Sequence, residues 1–294
     1  MMYFSYLVAT GVTTGALYAL VALGIVVVFR ATHVVNFAHG EMFMLAGFLA
    51  WTAHVALKLP YVPSLLIAVA VAFALGMLVY QIAFRPLMKT NNINATLLAM
   101  IGLSFILIGV ARYFWGGKGD YLSFPPLVSP TPIEFAGIML MSQQVVVIVA
   151  VLAVMILLVL LFKYTRAGKF MQATADNSKA AKLVGLRIER VHMVTFGVGA
   201  AIAGAAAGLM APLTLLYPDM GFALFIKGFA AAVLGGLASI PGAIVGGVLL
   251  GIAEQLAAGY IVTGLQEVAA FIVIVLVMVF IPTGIFGTRR ARRV

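Results

Sequence analysis

Long apolar segments constrain this chain more than any other feature of its sequence. A helix needs about 20 apolar residues to cross the hydrocarbon core of a membrane. Nine segments are candidates, of which the seventh and eighth are short: 6–29, 38–57, 62–84, 95–115, 142–163, 191–212, 226–240, 242–258 and 266–281. We therefore predict an all-α polytopic membrane protein with eight or nine transmembrane helices, forming one transmembrane domain over 1–294.

The composition supports this fold class and excludes others. Hydrophobic residues make up 64% of the 294 residues and charged residues only 9%, whereas a soluble domain contains about 45–50% and about 25%. A single core cannot bury so much apolar surface, so the remainder must face lipid. The net charge of +10 does not indicate a nucleic-acid binder, because the basic residues are spread over short loops and a tail.

The distribution of lysine and arginine predicts the orientation, because cytoplasmic loops carry an excess of these residues. Connections on one side hold fourteen of the 18 basic residues and those on the other side hold four. We expect the richer side to be cytoplasmic; it includes the loop 164–190 and a basic tail at 287–294. The Pro-rich loop 116–141 is then periplasmic. Nine spans would place the N-terminus outside, but a miscount of one span leaves its side open.

The cytoplasmic loop has a helical pattern of its own. Ala173, Asp176 or Asn177, Ala180 or Ala181, and Val184 follow one another at the spacing of a helix face over about 172–184. Gly185 stands where a C-cap glycine would. We predict a short amphipathic helix there. It is either a docking helix for a cytoplasmic partner or a loop whose lysines only set the topology.

A first polar cluster lies between the first two predicted spans, at 36–41. Membrane-embedded charge costs about 2.5–3.5 kcal/mol on the insertion scale, so each instance needs a reason. One interpretation is structural: Asn36 caps the second helix and the helix dipole favours Glu41 in its first turn. The other is a broken helix lining a solute path. The candidate path residues here are Asn36, His39, Gly40 and Glu41.

A second interruption separates the short seventh and eighth segments. Glycine and proline break a helix at membrane depth only where protein or a water-filled cavity covers the freed backbone groups. We therefore add this interruption to the candidate path, with the residues Gly235, Gly236, Pro241 and Gly242.

A hairpin folded at Ile240 and Pro241 would also place two opposite charges at similar depth. Lys227 precedes Ile240 by 13 residues and Glu254 follows Pro241 by 13 residues. Glu267 opens the ninth segment on the same side. We predict that Lys227 lies near Glu254 or Glu267 as an ion pair at the outer mouth. The alternative is that each side chain extends separately to the headgroups.

Motifs for chemistry are missing from the chain. A phosphate-binding loop would read G-x-x-x-x-G-K-[ST], but Gly168-Lys169 is followed by Phe170. The four histidines are scattered and no H-E-x-x-H motif is present, so no metal site is predicted. We expect a transporter without an ATPase site of its own rather than an enzyme. An ion-coupled secondary transporter is the alternative from another class, and it would need a buried acidic relay.

Four parts of the sequence form a recognisable set of motifs: 15–20 with 36–44; 85–87 with 101–104; 165–168 with 175–177, 180 and 185–186; and 227–237 with 241–243, 246–247, 251 and 254. Together they resemble the LivH-type permease subunit of branched-chain amino acid ABC importers. The resemblance implies a type II-like ABC importer permease fold in a bacterial inner membrane. Relatives that look alike carry urea, short amides or aromatic acids, so the solute stays open.

The resemblance also implies partners. They are a sister permease, two cytoplasmic ATPases that use ATP and Mg, and a periplasmic amino-acid-binding protein; the chain itself would bind no cofactor. General ABC permeases mark the ATPase-coupling helix with E-A-A-x-x-x-G, and here Lys179 replaces the glutamate. The residues that the resemblance assigns to coupling are Arg166, Asp176, Asn177, Ala180, Ala181 and Gly185.

Overall fold

The computed structural model describes residues 2–88, 92–118, 121–129, 131–135 and 138–287. Its helices are α1 (Met2–Thr32), α2 (His39–Trp51), α3 (Tyr61–Val79), α4 (Arg85–Met88), α5 (Ile93–Trp115), α6 (Ser142–Tyr164), α7 (Arg166–Asp176), α8 (Ser178–Leu183), α9 (Ile188–Met210), α10 (Met220–Gly235), α11 (Ile240–Tyr260) and α12 (Leu265–Phe280). The π-helical turns Thr52–Ala56 and Tyr80–Phe84 extend α2 and α3, and the 3-10 turn Gly116–Lys118 follows α5. A short antiparallel pair, β1 (Pro132–Phe135) and β2 (Ile138–Met141), precedes α6. The residues 288–294 of the predicted basic tail lie outside the described ranges.

The predicted all-α polytopic fold is confirmed. Among the described residues, six helices are long and apolar enough to cross a membrane, and the apolar helices α10 and α12 are shorter. Each of the nine predicted segments overlaps a helix. The least regular crossing is the second, where α2 has only 13 residues.

Helices α1 and α9 form the centre of the bundle. In each of them 83% of the most apolar stretch is buried, whereas the figure is 17% for α6. Helix α1 packs antiparallel on α11 through glycines. A Cβ atom added to Gly15 would lie 2.7 Å from the carbonyl oxygen of Gly247 and 2.8 Å from Cα of Val248. Small residues thus bring the two backbones into direct contact, as in other membrane helix pairs.

Ion pairs and strand contacts define two ends of the bundle. At the basic end, Arg30 lies 4.0 Å from Asp176 and Arg85 lies 2.6 Å from Glu189. At the opposite end, the hydroxyl of Tyr3 donates to the Gly259 carbonyl at 3.3 Å. There, too, Arg112 pairs with Asp219 and Leu122 bridges Leu216. Among the described residues, the lysine- and arginine-rich connections after α1, after α3 and between α6 and α9 therefore meet at the basic end.

The second crossing does not begin at the end of the bundle. The non-helical segment 33–38 leads from α1 back into the bundle, and α2 begins at His39. The His39 ring contacts Gly24, eight residues before the end of α1, or about 12 Å along the helix axis. From there α2 runs to the opposite end, where the Trp51 indole donates to the Ser123 carbonyl at 2.9 Å.

The prediction of one helix over 172–184 is wrong. Two helices, α7 and α8, occupy this loop, and Asn177 separates them with an extended backbone (φ −156°, ψ 95°). Its side-chain oxygen accepts a hydrogen bond from the Ala180 amide at 3.0 Å. Asparagine favours such an N-cap over a helix interior, because its short side chain competes for backbone donors. Gly185, with φ +88°, follows α8 as expected of a C-cap glycine.

We expect the substitution Gly15→Ala to destabilise the bundle, because the added methyl group would push α1 away from the α11 backbone. Overpacking of this kind costs about 1–3 kcal/mol. Gly102→Ala in α5 is the matched control, since nothing lies within 4 Å of a Cβ added there. Thermal unfolding of the detergent-solubilised protein should show a lower Tm for Gly15→Ala alone. Equal Tm values for the two variants would contradict the glycine contact.

Candidate functional site

A cavity of about 570 Å³ lies between α1, α10 and α11 and reaches the connections at the end opposite to the basic end. Its volume falls within the range of about 300–1,000 Å³ that is typical of small-molecule sites. Leu17, Leu213, Leu215 and Leu224 give part of its wall an aliphatic surface. Its polar lining consists of Thr10, Thr13, Thr14, Tyr18, Tyr121, Gln144, Thr214, Tyr217, Lys227, Glu254, Gln255 and Gln266.

Lys227 and Glu254 contact each other at the wall of this cavity. The Lys227 ammonium donates to Oε1 of Glu254 and, at 3.1 Å, to the Tyr18 hydroxyl. The exposed fractions of the two charged side chains are 18% and 4%. Of the two carboxylates that the sequence offered, Glu254 is therefore the one that pairs. Glu267 lies in the first turn of α12.

The α10–α11 hairpin brings this pair together. Gly235 and Gly242 meet backbone to backbone, and Gly236 adopts a φ of +102° that side chains rarely tolerate. The Ser239 hydroxyl then accepts a hydrogen bond from the Gly242 amide at 3.0 Å and caps α11. The turn is thus centred on 236–239, a few residues before the position that the sequence argument assumed. Lys227 lies halfway along α10, which spans Met220–Gly235.

The polar cluster at 36–41 packs against other helices. Oδ1 of Asn36 accepts a hydrogen bond from the Ala38 amide at 3.1 Å, just before α2. His39 and Glu41 are buried, with 1% of each exposed. Oε1 of Glu41 accepts from the Ser104 hydroxyl at 3.1 Å, and Oε2 touches Gly221 in the first turn of α10.

The eight residues that the sequence assigned to a solute path do not line the 570 Å³ cavity. Gly40 and Gly221 are in contact, which closes α2 against α10. At the basic end, Gly236 packs against the segment 283–287. In this arrangement the two interruptions act as packing sites, and their place in the path stays a prediction.

The loop between α6 and α9 projects at the basic end. The Thr165 hydroxyl caps α7 by accepting from the Gly168 amide at 3.0 Å. After α8, the Gly185 amide donates to Lys182 and the Leu186 amide to Ala181, which is the Schellman arrangement. Of the six residues that the resemblance assigned to coupling, Ala181 is buried and the others are exposed.

Two apolar residues of this loop were missed as a pair by sequence reasoning. Leu183 is 89% exposed and Val184 is 78% exposed at the end of α8. They directly precede Gly185 in the chain. Two adjacent aliphatic side chains in a charged loop were the signal that could have identified them. An adjacent exposed apolar pair outside the predicted spans makes the end of α8 a candidate interaction site.

Comparison with known proteins decides the family. The family model described as "Branched-chain amino acid transport system / permease component" matches residues 7–282. The chain belongs to this family. It is 34% identical to the high-affinity branched-chain amino acid transport permease LivH of Escherichia coli K12, covering 100% of this chain and 98% of that protein. It is also 34% identical to BraD of Pseudomonas aeruginosa, covering 97% and 96%.

More distant proteins agree. A probable LivH of Methanocaldococcus jannaschii is 30% identical, covering 92% of this chain and 89% of that protein. Among solved structures, PsaBC from Streptococcus pneumoniae in complex with Fab has a TM-score of 0.50 and 14% identity, covering 95% of this chain and 91% of that chain. At this identity the likeness concerns the fold alone. The resemblance to LivH-type permeases and the predicted permease fold are thus confirmed, and the permease is a multi-pass transporter component.

We expect Lys227→Met to destabilise the permease by about 3–5 kcal/mol, because it leaves the buried Glu254 carboxylate without its partner. The double variant Lys227→Met/Glu254→Gln removes both charges and should recover most of this loss. Arg112→Gln is the control, since the Arg112–Asp219 pair is more than half exposed and exposed pairs contribute about 0–1 kcal/mol. Thermal unfolding measures all three. A single variant as stable as the double variant would show that the pair is not coupled.

Proposed function

We propose that this permease subunit translocates branched-chain amino acids across the bacterial inner membrane as part of an ABC importer. The observation that carries the proposal is the cavity: in a member of this family, several leucine side chains and one buried pair of opposite charges line the same site. The leucine surface favours a branched apolar side chain through burial. Polar groups at one place can fix the ammonium and carboxylate of an amino acid.

The proposed complex contains a sister permease, two cytoplasmic ATPases and a periplasmic amino-acid-binding protein. The ATPases supply the energy with ATP and Mg, since the chain has no phosphate-binding loop. The basic end is cytoplasmic in this proposal, in keeping with the excess of lysine and arginine there. The binding protein delivers the solute at the opposite end, where the described part of the loop 116–141 and the mouth of the cavity lie.

The cavity forms the outer part of the proposed path. The contact between α2 and α10, where Gly40 meets Gly221, borders this path, and its inner continuation leads towards the turn at 236–239. Separation of α2 from α10 would open it. In this scheme Asn36, His39 and Glu41 become accessible only in the inward-open state, which explains why they are buried here.

The loop between α6 and α9 is the proposed contact with an ATPase. Leu183 and Val184 supply its apolar centre, and Arg166, Asp176 and Asn177 lie beside it on α7 and at its end. Ala181 anchors α8 to the bundle with 4% of its surface exposed. The rigid caps at Thr165, Asn177 and Gly185 allow the loop to transmit movement without unfolding.

The proposed transport is tested by uptake into proteoliposomes. We expect the reconstituted complex, with its binding protein, to accumulate radiolabelled leucine, isoleucine and valine when ATP is present. An ionophore should leave this uptake unchanged. Urea, short amides and aromatic acids should not compete. Accumulation by this subunit alone, collapsed by an ionophore and indifferent to ATP, would instead identify an ion-coupled secondary transporter.

The proposed ATPase contact is tested by substitution at α8. We expect Leu183→Asp to abolish co-purification of the ATPases, because a charge replaces the apolar centre of the contact, while the variant still inserts and pairs with the sister permease. Leu57→Asp is the control, since Leu57 is 66% exposed and follows α2 at the opposite end. Undiminished co-purification with Leu183→Asp would remove this role from α8.

A further inference from the structure

The Lys227–Glu254 pair is not explained by stability. A buried ion pair pays a desolvation penalty that its mutual attraction barely offsets, and apolar residues of similar volume often stabilise a protein as well or better. This pair is not needed to close the α10–α11 hairpin either, because glycine contacts already do so at Gly235 and Gly246. A charge pair kept within a membrane bundle is, by default, a functional group.

The surroundings of the pair indicate what kind of ligand it meets. Both charged side chains line the cavity, together with the Tyr18 hydroxyl. Thr14 and Gln255 add neutral hydrogen-bonding groups, and Leu17 and Leu224 add aliphatic surface. The cavity therefore offers one positive group, one negative group and an apolar wall. A matching ligand carries both charges on neighbouring atoms and an aliphatic side chain.

We infer that Lys227 and Glu254 are the recognition site for the zwitterionic head of the solute, with Lys227 binding the α-carboxylate and Glu254 binding the α-ammonium group. This inference rests on the proposed amino acid transport and adds the site that selects for it. The entering zwitterion replaces one ion pair within the protein by two pairs with the ligand. The Tyr18 hydroxyl positions the lysine, since it accepts a hydrogen bond from the Lys227 ammonium at 3.1 Å.

Charge balance explains the selectivity. Before and after the exchange every buried charge has a partner, so neither state leaves a charge unpaired in a medium of low polarity. A ligand with only a carboxylate would leave Glu254 alone, and one with only an amine would leave Lys227 alone. An uncharged ligand such as urea or an amide gains nothing from opening the pair. The site thus distinguishes amino acids from those solutes.

The first experiment separates recognition from assembly. Proteoliposomes with the complete complex and its binding protein are prepared with wild-type permease, with Lys227→Met/Glu254→Gln, and with the control Arg112→Gln/Asp219→Asn at the exposed pair. We expect the cavity variant to keep ATP hydrolysis stimulated by the binding protein but to take up leucine at least about tenfold more slowly, equivalent to about 1.4 kcal/mol. The control should match the wild type.

The outcomes distinguish this inference from the proposed function. Wild-type leucine uptake by the neutral cavity variant would overturn the recognition site and leave the proposed transport intact. Absence of branched-chain amino acid uptake by the wild-type complex would instead contradict the proposed transport itself.

A second measurement does not depend on the folding of the pair variants. The chain contains no cysteine, so Thr14→Cys places a single thiol of this subunit in the cavity while Lys227 and Glu254 stay intact. We expect millimolar leucine to protect this thiol from a maleimide in the purified complex. At the same concentration 4-methylpentanoate, which lacks the amine, and 3-methylbutylamine, which lacks the carboxylate, should not protect it. Equal protection by all three compounds, or by none, would overturn the inference.

Discussion

The direct backbone contact between α1 and α11 is the constraint on which the rest of the structure depends. Gly15 on α1 meets Gly247 on α11 with no side chain between them. This contact holds the central helix against the α10–α11 hairpin and brings Tyr18, three residues further along α1, to Lys227. In lipid no hydrophobic force drives helices together, so close packing of small residues must supply the association.

The same hairpin makes a buried charge tolerable. Lys227 and Glu254 would each be costly alone at membrane depth. The fold pairs them at the wall of a cavity, where, in the proposed recognition, a solute with both charges binds both partners. Glycine packing and charge pairing therefore act together: the first fixes the helices closely enough for the second, and the second gives the cavity its chemistry. The α6–α9 loop, at the other end of the bundle, is held by its own caps and needs neither.

Much of this architecture could be predicted from residues, but with identifiable errors. The interruption at 36–41 and the pairing of Lys227 with a nearby glutamate could be expected from charges in apolar surroundings. The spacing predicts one helix over 172–184, because apolar and small residues recur on both sides of Asn177. Spacing alone does not reveal that the Asn177 side chain caps α8. The exposure of Leu183 and Val184 was missed, because a sequence does not state which face of a short helix is left uncovered.

The sequence by itself determined the all-α polytopic class, the position of the apolar segments, the side that carries the positive charge and the family. Each of these follows from local properties: the length of an apolar run, the residues flanking it and the order of short motifs. Only the tertiary structure decided where the cavity lies and which residues face it. The residues 36–41 and 235–242 pack against neighbours, while Thr10, Thr14, Gln144 and Gln255 line the same cavity as the ion pair. Whether a polar residue meets a cavity or a helix depends on contacts between segments far apart in the chain, which no local pattern encodes.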